Sequence, residues 1–197
     1  ILGKGGGGHK GREMFGVIRH PKLLTCVRSL IGPEIVGSSV YRVRPKIPDM
    51  LHGEVPWHQD SGYFMPHCDR NLIVTCWLPL VDATEENGCL RVLAGAHRRG
   101  VARHYTGGHA GYLEIPEGEL PAGEAMTVPV PLGGVLFMTN LTPHRSTENR
   151  TDTSDTTIDR LEWDQAGTKN DRLFDGPLRK ITGHQHHWIG GLRLDRH

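Results

Sequence analysis

The chain has 197 residues, which suits one domain with a sizeable core, and its 37% hydrophobic and 23% charged residues are ordinary for a globular protein. Lys plus Arg number 23 and Asp plus Glu number 22, so a net charge of +1 predicts no general attraction to nucleic acid or to an anionic membrane. No apolar run approaches the length of a membrane span.

Four cysteines are present and none forms a C-x-x-C pair, which argues against a zinc ribbon or a thioredoxin-like site. The simplest interpretation is reduced thiols in a cytoplasmic protein. We interpret residues 1–197 as a single domain. Because the chain begins at Ile1 without a Met, the N-terminal part of this domain can be missing from the sequence. The 13 histidines are many, and His is the commonest side-chain metal ligand.

The first predicted elements are a glycine-rich loop and a helix. Residues 5–8 are all glycine, and without the Walker spacing they predict a flexible loop and no phosphate site. Residues 20–32 predict a helix, because Pro21 suits its first position, Gly32 suits its exit, and apolar residues recur on one face.

After Gly32 the pattern changes to short strands between Gly and Pro turns. We expect extended segments at residues 36–45, 72–81, 89–93, 126–130, 135–139 and 157–163. Such a series after a helix predicts a mainly β fold, a sandwich or jelly roll. Residues 99–125 are Gly-rich and polar, so we interpret them as an inserted loop or lid. From Ala166 on, the chain is expected to be a solvated polar tail.

The tripeptide His58-Gln59-Asp60 carries the main chemical signal. In an extended strand residues i and i+2 share a face, so one imidazole and one carboxylate can point at a common centre. The natural third ligand is His144, 84 residues after Asp60, which would complete a facial triad of two His and one carboxylate of the kind that binds iron(II). The tripeptide alone is a weak signal, because a surface His beside an Asp explains it equally well.

Longer segments around these residues resemble the phytanoyl-CoA dioxygenase family of Fe(II)/2-oxoglutarate-dependent oxygenases. The resemblance covers about residues 30–150. The segments that carry it are His58-Gln59-Asp60-Ser61-Gly62-Tyr63-Phe64, Trp77-Leu78-Pro79-Leu80, the block 86–97 that begins Glu86-Asn87-Gly88-Cys89 and ends at His97, and His144-Arg145-Ser146-Thr147-Glu148-Asn149.

The resemblance implies a double-stranded β-helix, which is a cupin-like jelly roll, with flanking helices. It implies that His58, Asp60 and His144 hold Fe(II), and that 2-oxoglutarate and O2 are the co-substrates. It places four further residues near 2-oxoglutarate: Gln59, Trp77, Ser146 and, more weakly, Lys4. Gln and Ser can hydrogen-bond a carboxylate, and Trp can shield it from water.

One position departs from the family pattern. The family has an Arg eleven residues after the distal His, where its planar fork binds the far carboxylate of 2-oxoglutarate. That position is Asp155 in this chain, and a carboxylate there would repel the co-substrate. Arg150 and Arg160 are the nearby cations, and Arg150 is our candidate for the missing contact. A local shift, a weakened co-substrate site or an altered sequence would each explain the departure.

The predicted function is therefore hydroxylation of a small organic substrate, with succinate and CO2 as co-products. The carboxylate of Asp60 occupies the position that a halide would need, which favours hydroxylation over halogenation. Two alternatives remain open. Asp155 favours an impaired family member that acts as a binding protein, and the same ligands would also serve a cupin-like isomerase or hydrolase that does not use 2-oxoglutarate. The expected partner is a small molecule, with no nucleic acid and no membrane.

Two groups of residues are expected to be solvated. Arg42, Arg44 and Lys46 alternate along a predicted strand, and such a basic face is usually exposed, although it can attract an anionic substrate. Several histidines outside the triad, His104 among them, are also expected to be exposed.

Overall fold

The computed structural model describes residues 12–37, 42–48, 54–106, 111–165, 186–189 and 192–195. Its helices are α1, Arg12–Ile18, and α2, Pro21–Ile31. Its strands are β1 Ile35–Gly37, β2 Arg42–Lys46, β3 Val74–Pro79, β4 Leu90–Ala94, β5 Tyr105–Thr106, β6 Leu113–Glu114, β7 Glu124–Val128, β8 Leu136–Thr139, β9 His144–Ser146, β10 Asp155–Gln165, β11 His186–Ile189 and β12 Leu192–Asp195. The short 3-10 helices between them include Asp60–Tyr63, Pro66–Arg70, Ala96–Arg99 and Glu117–Glu119.

Helix α2 confirms the helix predicted for residues 20–32. Pro21 occupies the first turn, and the helix ends at Gly32, whose φ of 96° is open to glycine and whose N–H donates to the carbonyl of Arg28. Of the five apolar residues predicted on one face, Leu23, Val27 and Ile31 are buried against β3 and Leu24 is partly buried, whereas Leu30 is 50% exposed, so its predicted place on the packed face is wrong. The shorter α1 was not predicted.

Two antiparallel sheets make up most of the fold. In the larger sheet the strand order is β1-β10-β3-β8, and β2 also pairs with β10. In the smaller sheet the order is β7-β4-β9. The mainly β architecture with flanking helices agrees with the predicted fold class, and β3, β4, β7, β8 and β10 each overlap a predicted strand.

Strand β3 is buried on both faces and links the core to the site. Val74 and Cys76 point to one face and pack against α2. Trp77 points to the opposite face and packs with Leu90 of β4 and Met138 of β8. Since side chains alternate along a strand, this single run of apolar residues serves the helix-covered core and the space between the sheets.

Residues 99–125 were interpreted as an inserted loop or lid, and the structure shows how they are attached. They contain the hairpin β5-β6. Leu113 and Ile115 are buried, and the N–H of Ile115 donates to the carbonyl of Trp57 at 2.7 Å. This segment therefore contributes to the core, and its action as a lid stays a prediction.

The polar tail contains a hairpin that its composition did not predict, in which β11 pairs with β12. The tail also carries His184, His186 and His187, a cluster that we interpret as solvated, and His184 lies outside the described residues. The four cysteines are free, in agreement with the expected thiols, and the cytoplasmic location stays a prediction. In the part of the chain that the structure covers, no helix is both long enough and apolar enough to cross a membrane.

Candidate metal centre

The structure brings the three predicted ligands together. The metal-binding atoms of His58, Asp60 and His144 all lie within 4.8 Å of one another, and all three residues are buried. The chain is extended at Gln59, with φ −116° and ψ 144°, and turns into a 3-10 helix at Asp60. The two local ligands therefore stand at the end of an extended segment, where the turn directs the carboxylate beside the imidazole.

His58 and His144 are held by their backbones. They form an isolated antiparallel bridge in which the N–H of His58 donates to His144 O at 3.0 Å and the N–H of His144 donates to His58 O at 2.9 Å. The ring centroids are 4.2 Å apart. Residues far apart in the sequence thus become direct neighbours, because the start of β9 pairs with the segment before Asp60.

Both imidazoles are oriented for ligation through Nε2. Nδ1 of His58 lies 2.8 Å from the carbonyl of Pro56, and Nδ1 of His144 lies 2.9 Å from the carbonyl of Thr142. A carbonyl only accepts, so Nδ1 carries the proton in each ring and Nε2 keeps its lone pair. The contact of Nδ1 with a backbone carbonyl fixes the tautomer and the orientation of each ring, as is usual for metal-binding histidines.

The carboxylate of Asp60 is positioned by a neighbouring strand. The hydroxyl of Thr75 in β3 donates to Oδ2 of Asp60 at 2.7 Å, and both residues are buried. Two imidazoles that direct Nε2 to the site and one carboxylate, buried and converging, suit a divalent transition metal, and this ligand set is the one typical of non-haem iron(II).

Trp77 and Ser146 line the same pocket as His58 and His144. Trp77 is 2% exposed. Ser146 lies two residues beyond His144 on β9, so both side chains share a face of the strand. The structure therefore places these two of the four residues expected near 2-oxoglutarate at the triad.

The hydroxyl of Ser146 is oriented by two donors. Its oxygen accepts hydrogen bonds from the N–H of Val55 and from Nζ of Lys46, each at 2.8 Å. A serine oxygen has two lone pairs, so both are used and the O–H hydrogen is left to donate. Among the described residues no further hydrogen-bond partner of this hydroxyl is found, which suits a pocket that takes up an acceptor such as a carboxylate.

Gln59 has a different position from the one expected. Its side chain is 0% exposed, and its amide nitrogen donates to the carbonyls of Gly100 at 2.8 Å and Leu141 at 2.7 Å. Its amide oxygen accepts from the N–H of Ala102 at 2.8 Å. The amide thus ties the segment after β4 to the turn before β9, and Gln59 is not among the described residues that line the pocket.

The two remaining candidates do not join the site in the described structure. Arg150 is exposed, its backbone N–H donates to the carbonyl of Glu86 at 2.8 Å, and it does not line the pocket. Lys4 lies outside the described residues.

His104 is a buried residue that the sequence did not indicate. The expectation that it is exposed is wrong, because its side chain is only 3% exposed. Its Nδ1 donates to the carbonyl of Ala102 at 2.9 Å, and its Nε2 accepts from the N–H of Gln59 at 2.9 Å. Burial lowers the pKa of His104 to about 4, so the ring is neutral and supports the peptide between the two local ligands.

Comparison with known proteins agrees with this geometry. The family model for phytanoyl-CoA dioxygenase (PhyH) matches residues 4–155. The phytanoyl-CoA dioxygenase domain-containing protein 1 of Mus musculus is 31% identical over 157 residues, which cover 74% of this chain and 51% of that protein. The 1-deoxypentalenic acid 11-beta-hydroxylase of Streptomyces arenae is 29% identical over 141 residues, which cover 66% of this chain and 48% of that protein. The chain spans about half the length of these curated relatives.

Solved structures share the fold. EvdO2 from Micromonospora carbonacea var. aurantiaca, complexed with 2-oxoglutarate, matches with a TM-score of 0.63 and 24% identity over 78% of this chain and 64% of that one. The epimerase SnoN, in complex with Fe3+, alpha ketoglutarate and nogalamycin RO, matches with a TM-score of 0.59 and 24% identity over 78% of this chain and 59% of that one. The likeness confirms the predicted jelly-roll fold. With the family match over residues 4–155, these findings show that the chain belongs to the phytanoyl-CoA dioxygenase family.

Proposed function

We propose that this chain is an Fe(II)/2-oxoglutarate-dependent dioxygenase that hydroxylates a small organic substrate, with succinate and CO2 as co-products. The observation that carries the proposal is the convergence of His58, Asp60 and His144, which are all buried and whose ligand atoms lie within 4.8 Å of one another. Membership of the family, a relative named as a hydroxylase, and a shared fold with a structure solved with 2-oxoglutarate support it.

The protein's part in this reaction is to bind and orient. His58 and His144 present Nε2 because their Nδ1 protons are held by backbone carbonyls, and Asp60 presents its carboxylate because Thr75 holds Oδ2. When bound, Fe(II) supplies the activation of O2 at the expense of 2-oxoglutarate.

Two neighbours of the triad fit the binding of the co-substrate. The O–H of Ser146 is left to donate to a carboxylate, since its lone pairs already accept from Val55 and Lys46. The ring of Trp77 forms an apolar wall beside the ligands. A pocket with such a wall excludes water, which strengthens hydrogen bonds between the protein and a bound carboxylate.

The test is succinate formation by protein that is loaded with Fe(II) without oxygen, mixed with 2-oxoglutarate and then exposed to O2. Asp60→Ala and His144→Ala are expected to abolish Fe(II) binding and succinate formation. His67→Ala, which changes an exposed histidine away from the triad, is the control that should behave like the unchanged protein. Undiminished succinate formation in either triad variant would contradict the assignment of His58, Asp60 and His144 as the metal ligands.

The same experiment separates the alternatives. Asp155 is the observation that favours a family member without turnover, which would bind Fe(II) at the triad and form no succinate. Direct titration with 2-oxoglutarate then distinguishes a disabled co-substrate site from strict coupling to an unknown substrate. A cupin-like enzyme of another reaction class would bind metal at the triad and leave 2-oxoglutarate unbound.

A further inference from the structure

The pocket beside the triad contains a buried cation. Lys46, the last residue of β2, is 4% exposed, so its predicted place on a solvated basic face is wrong. Its Nζ donates to Ser146 Oγ at 2.8 Å and to the carbonyl of Thr147 at 2.7 Å, and the residue lines the pocket together with His58 and His144. The ammonium group is thus in direct contact with the serine that the family places at the co-substrate.

Lys46 also lies next to the position at which this chain departs from the family. In the antiparallel ladder of β2 and β10, Asp155 is the direct partner of Lys46. Position 155 therefore lies opposite Lys46 in the ladder, where the register between β2 and β10 is continuous from Asp155 to Asp159. The family has its cation at position 155, and this chain has a cation one strand away.

The fold holds Lys46 in a defined position. Gly88 has a φ of 97°, and a Cβ added there would lie 2.8 Å from the carbonyl oxygen of Thr147 and 3.3 Å from Cδ of Lys46. The side-chain amide of Asn149 donates to the carbonyl of Lys46 at 2.7 Å. Two motifs that carry the family resemblance, the Asn87-Gly88 turn and the segment after His144, therefore meet around this lysine.

Other cations near the pocket are engaged differently. Arg44 also lines the pocket and is half-buried, but its guanidinium donates to the hydroxyl of Tyr112 at 2.7 Å and lies 5.3 Å from the centre of that ring. Arg150 is exposed and does not line the pocket. Of the cations whose side chains are described, Lys46 is the one bonded to a serine of the site.

We infer that the ammonium group of Lys46 binds the distal carboxylate of 2-oxoglutarate, in place of the arginine that the family has at position 155. The inference rests on the proposed function. The ammonium group and the O–H of Ser146 form a pair of donors to one carboxylate, and a charged contact in a buried pocket is stronger than one in water.

The test compares two ligands that differ only in the distal carboxylate. 2-Oxoglutarate and 2-oxobutyrate share the 2-oxo acid group, and 2-oxobutyrate has a hydrogen where 2-oxoglutarate has its far carboxylate. Each is titrated by calorimetry, without oxygen, into Fe(II)-loaded unchanged protein, Lys46→Gln and Lys46→Arg. Gln removes the charge and shortens the side chain but keeps an amide N–H donor, whereas Arg keeps the charge.

Lys46→Gln is expected to weaken 2-oxoglutarate binding about 10- to 100-fold and to leave 2-oxobutyrate binding unchanged, whereas Lys46→Arg keeps the preference for the diacid. Arg44→Gln, Arg150→Gln and Arg160→Gln are the matched controls, and each should keep the preference. An equal change for both ligands in Lys46→Gln, no change for either, or a selective loss in one of the arginine variants would overturn the inference.

If the proposed function is wrong, the result differs from a failure of the Lys46 inference alone, because the unchanged protein would then bind neither ligand at the metal. If Lys46→Gln does not fold, the unchanged protein loaded with Zn(II) and labelled with ¹⁵N-lysine gives the answer. The spectrum of Lys46→Arg lacks one Nζ signal, which identifies the signal of Lys46. That signal should shift when 2-oxoglutarate is added and should not shift when 2-oxobutyrate is added. An identical response to both acids, or none, would contradict the role of Lys46.

Discussion

The backbones of His58 and His144 form a closed antiparallel pair in which each N–H donates to the carbonyl of the other residue. Two of the three metal ligands are therefore placed by main-chain hydrogen bonds that do not involve their side chains. Replacing either imidazole removes a ligand and leaves the bridge in place, so loss of metal binding in such a variant reports on ligation and not on the fold.

A third histidine shows what separates a ligand from a structural residue in this site. His58, His144 and His104 all direct Nδ1 to the carbonyl two residues earlier. In His104 the remaining nitrogen already accepts from the N–H of Gln59, so it has no lone pair for a metal. The shared contact orients the ring, and the partner of Nε2 decides its function.

Thr75→Val should weaken metal binding without unfolding the protein. Valine keeps the shape of threonine and removes the hydroxyl that holds Oδ2 of Asp60. Loss of such an outer contact typically lowers metal affinity about 10- to 100-fold. Titration with Fe(II) without oxygen measures the change.

Thr25→Val is the matched control for Thr75→Val. The hydroxyl of Thr25 bonds only the carbonyl of Pro21 within α2, far along the chain from the triad, so its loss should leave metal affinity unchanged. Equal affinities of the Thr75 and Thr25 variants would show that the hydroxyl does not position Asp60.

The pH dependence of stability should carry a contribution from His104. Its pKa is about 4 in the folded protein, below the ordinary 6.5, so as the pH falls the unfolded chain takes up the proton first. The stability gained from the neutral ring is complete above pH 6.5 and is lost between about pH 6.5 and 4, on the order of 3 kcal/mol.

Urea unfolding of metal-free protein across this pH range tests the contribution, with His104→Gln beside it. The variant keeps His58, Asp60 and His144, so the two proteins differ at position 104 alone. Unfolding free energies that run parallel with pH in both proteins would show that His104 is not the group responsible.

The sequence predicts local features of this protein better than features that depend on distant partners. The helix α2 follows from Pro21, Gly32 and the periodic apolar residues between them, and the triad from a family motif. Lys46 looks like a solvated residue because its burial depends on β9 and β10, which follow much later in the chain. His104 bonds two backbone groups, and backbone groups leave no mark in a sequence.

Gly62→Ala should destabilise the protein because His104 fills the space beside it. A Cβ at Gly62 would lie 2.7 Å from Cδ2 of the His104 ring, and such overpacking in a buried region costs about 1–3 kcal/mol. Gly16→Ala is the matched control, since nothing lies within 4 Å of its Cβ position and alanine stabilises a helix interior by about 0.5–1 kcal/mol. Thermal unfolding should shift in opposite directions, and a stable Gly62→Ala would mean that the ring can move away.

Asp155→Arg should tighten 2-oxoglutarate binding. The ladder places position 155 directly opposite Lys46, so an arginine there adds a second cation beside the proposed carboxylate site and removes a negative charge. Asp155→Asn separates the two effects, because it removes the charge without adding a guanidinium. We expect binding to tighten in the order Asp, Asn, Arg, by about 10-fold or more for Arg in a calorimetric titration without oxygen. Unchanged binding of Asp155→Arg would mean that position 155 does not act on the co-substrate in this chain, and weaker binding would contradict the favourable contact that we expect from an arginine there.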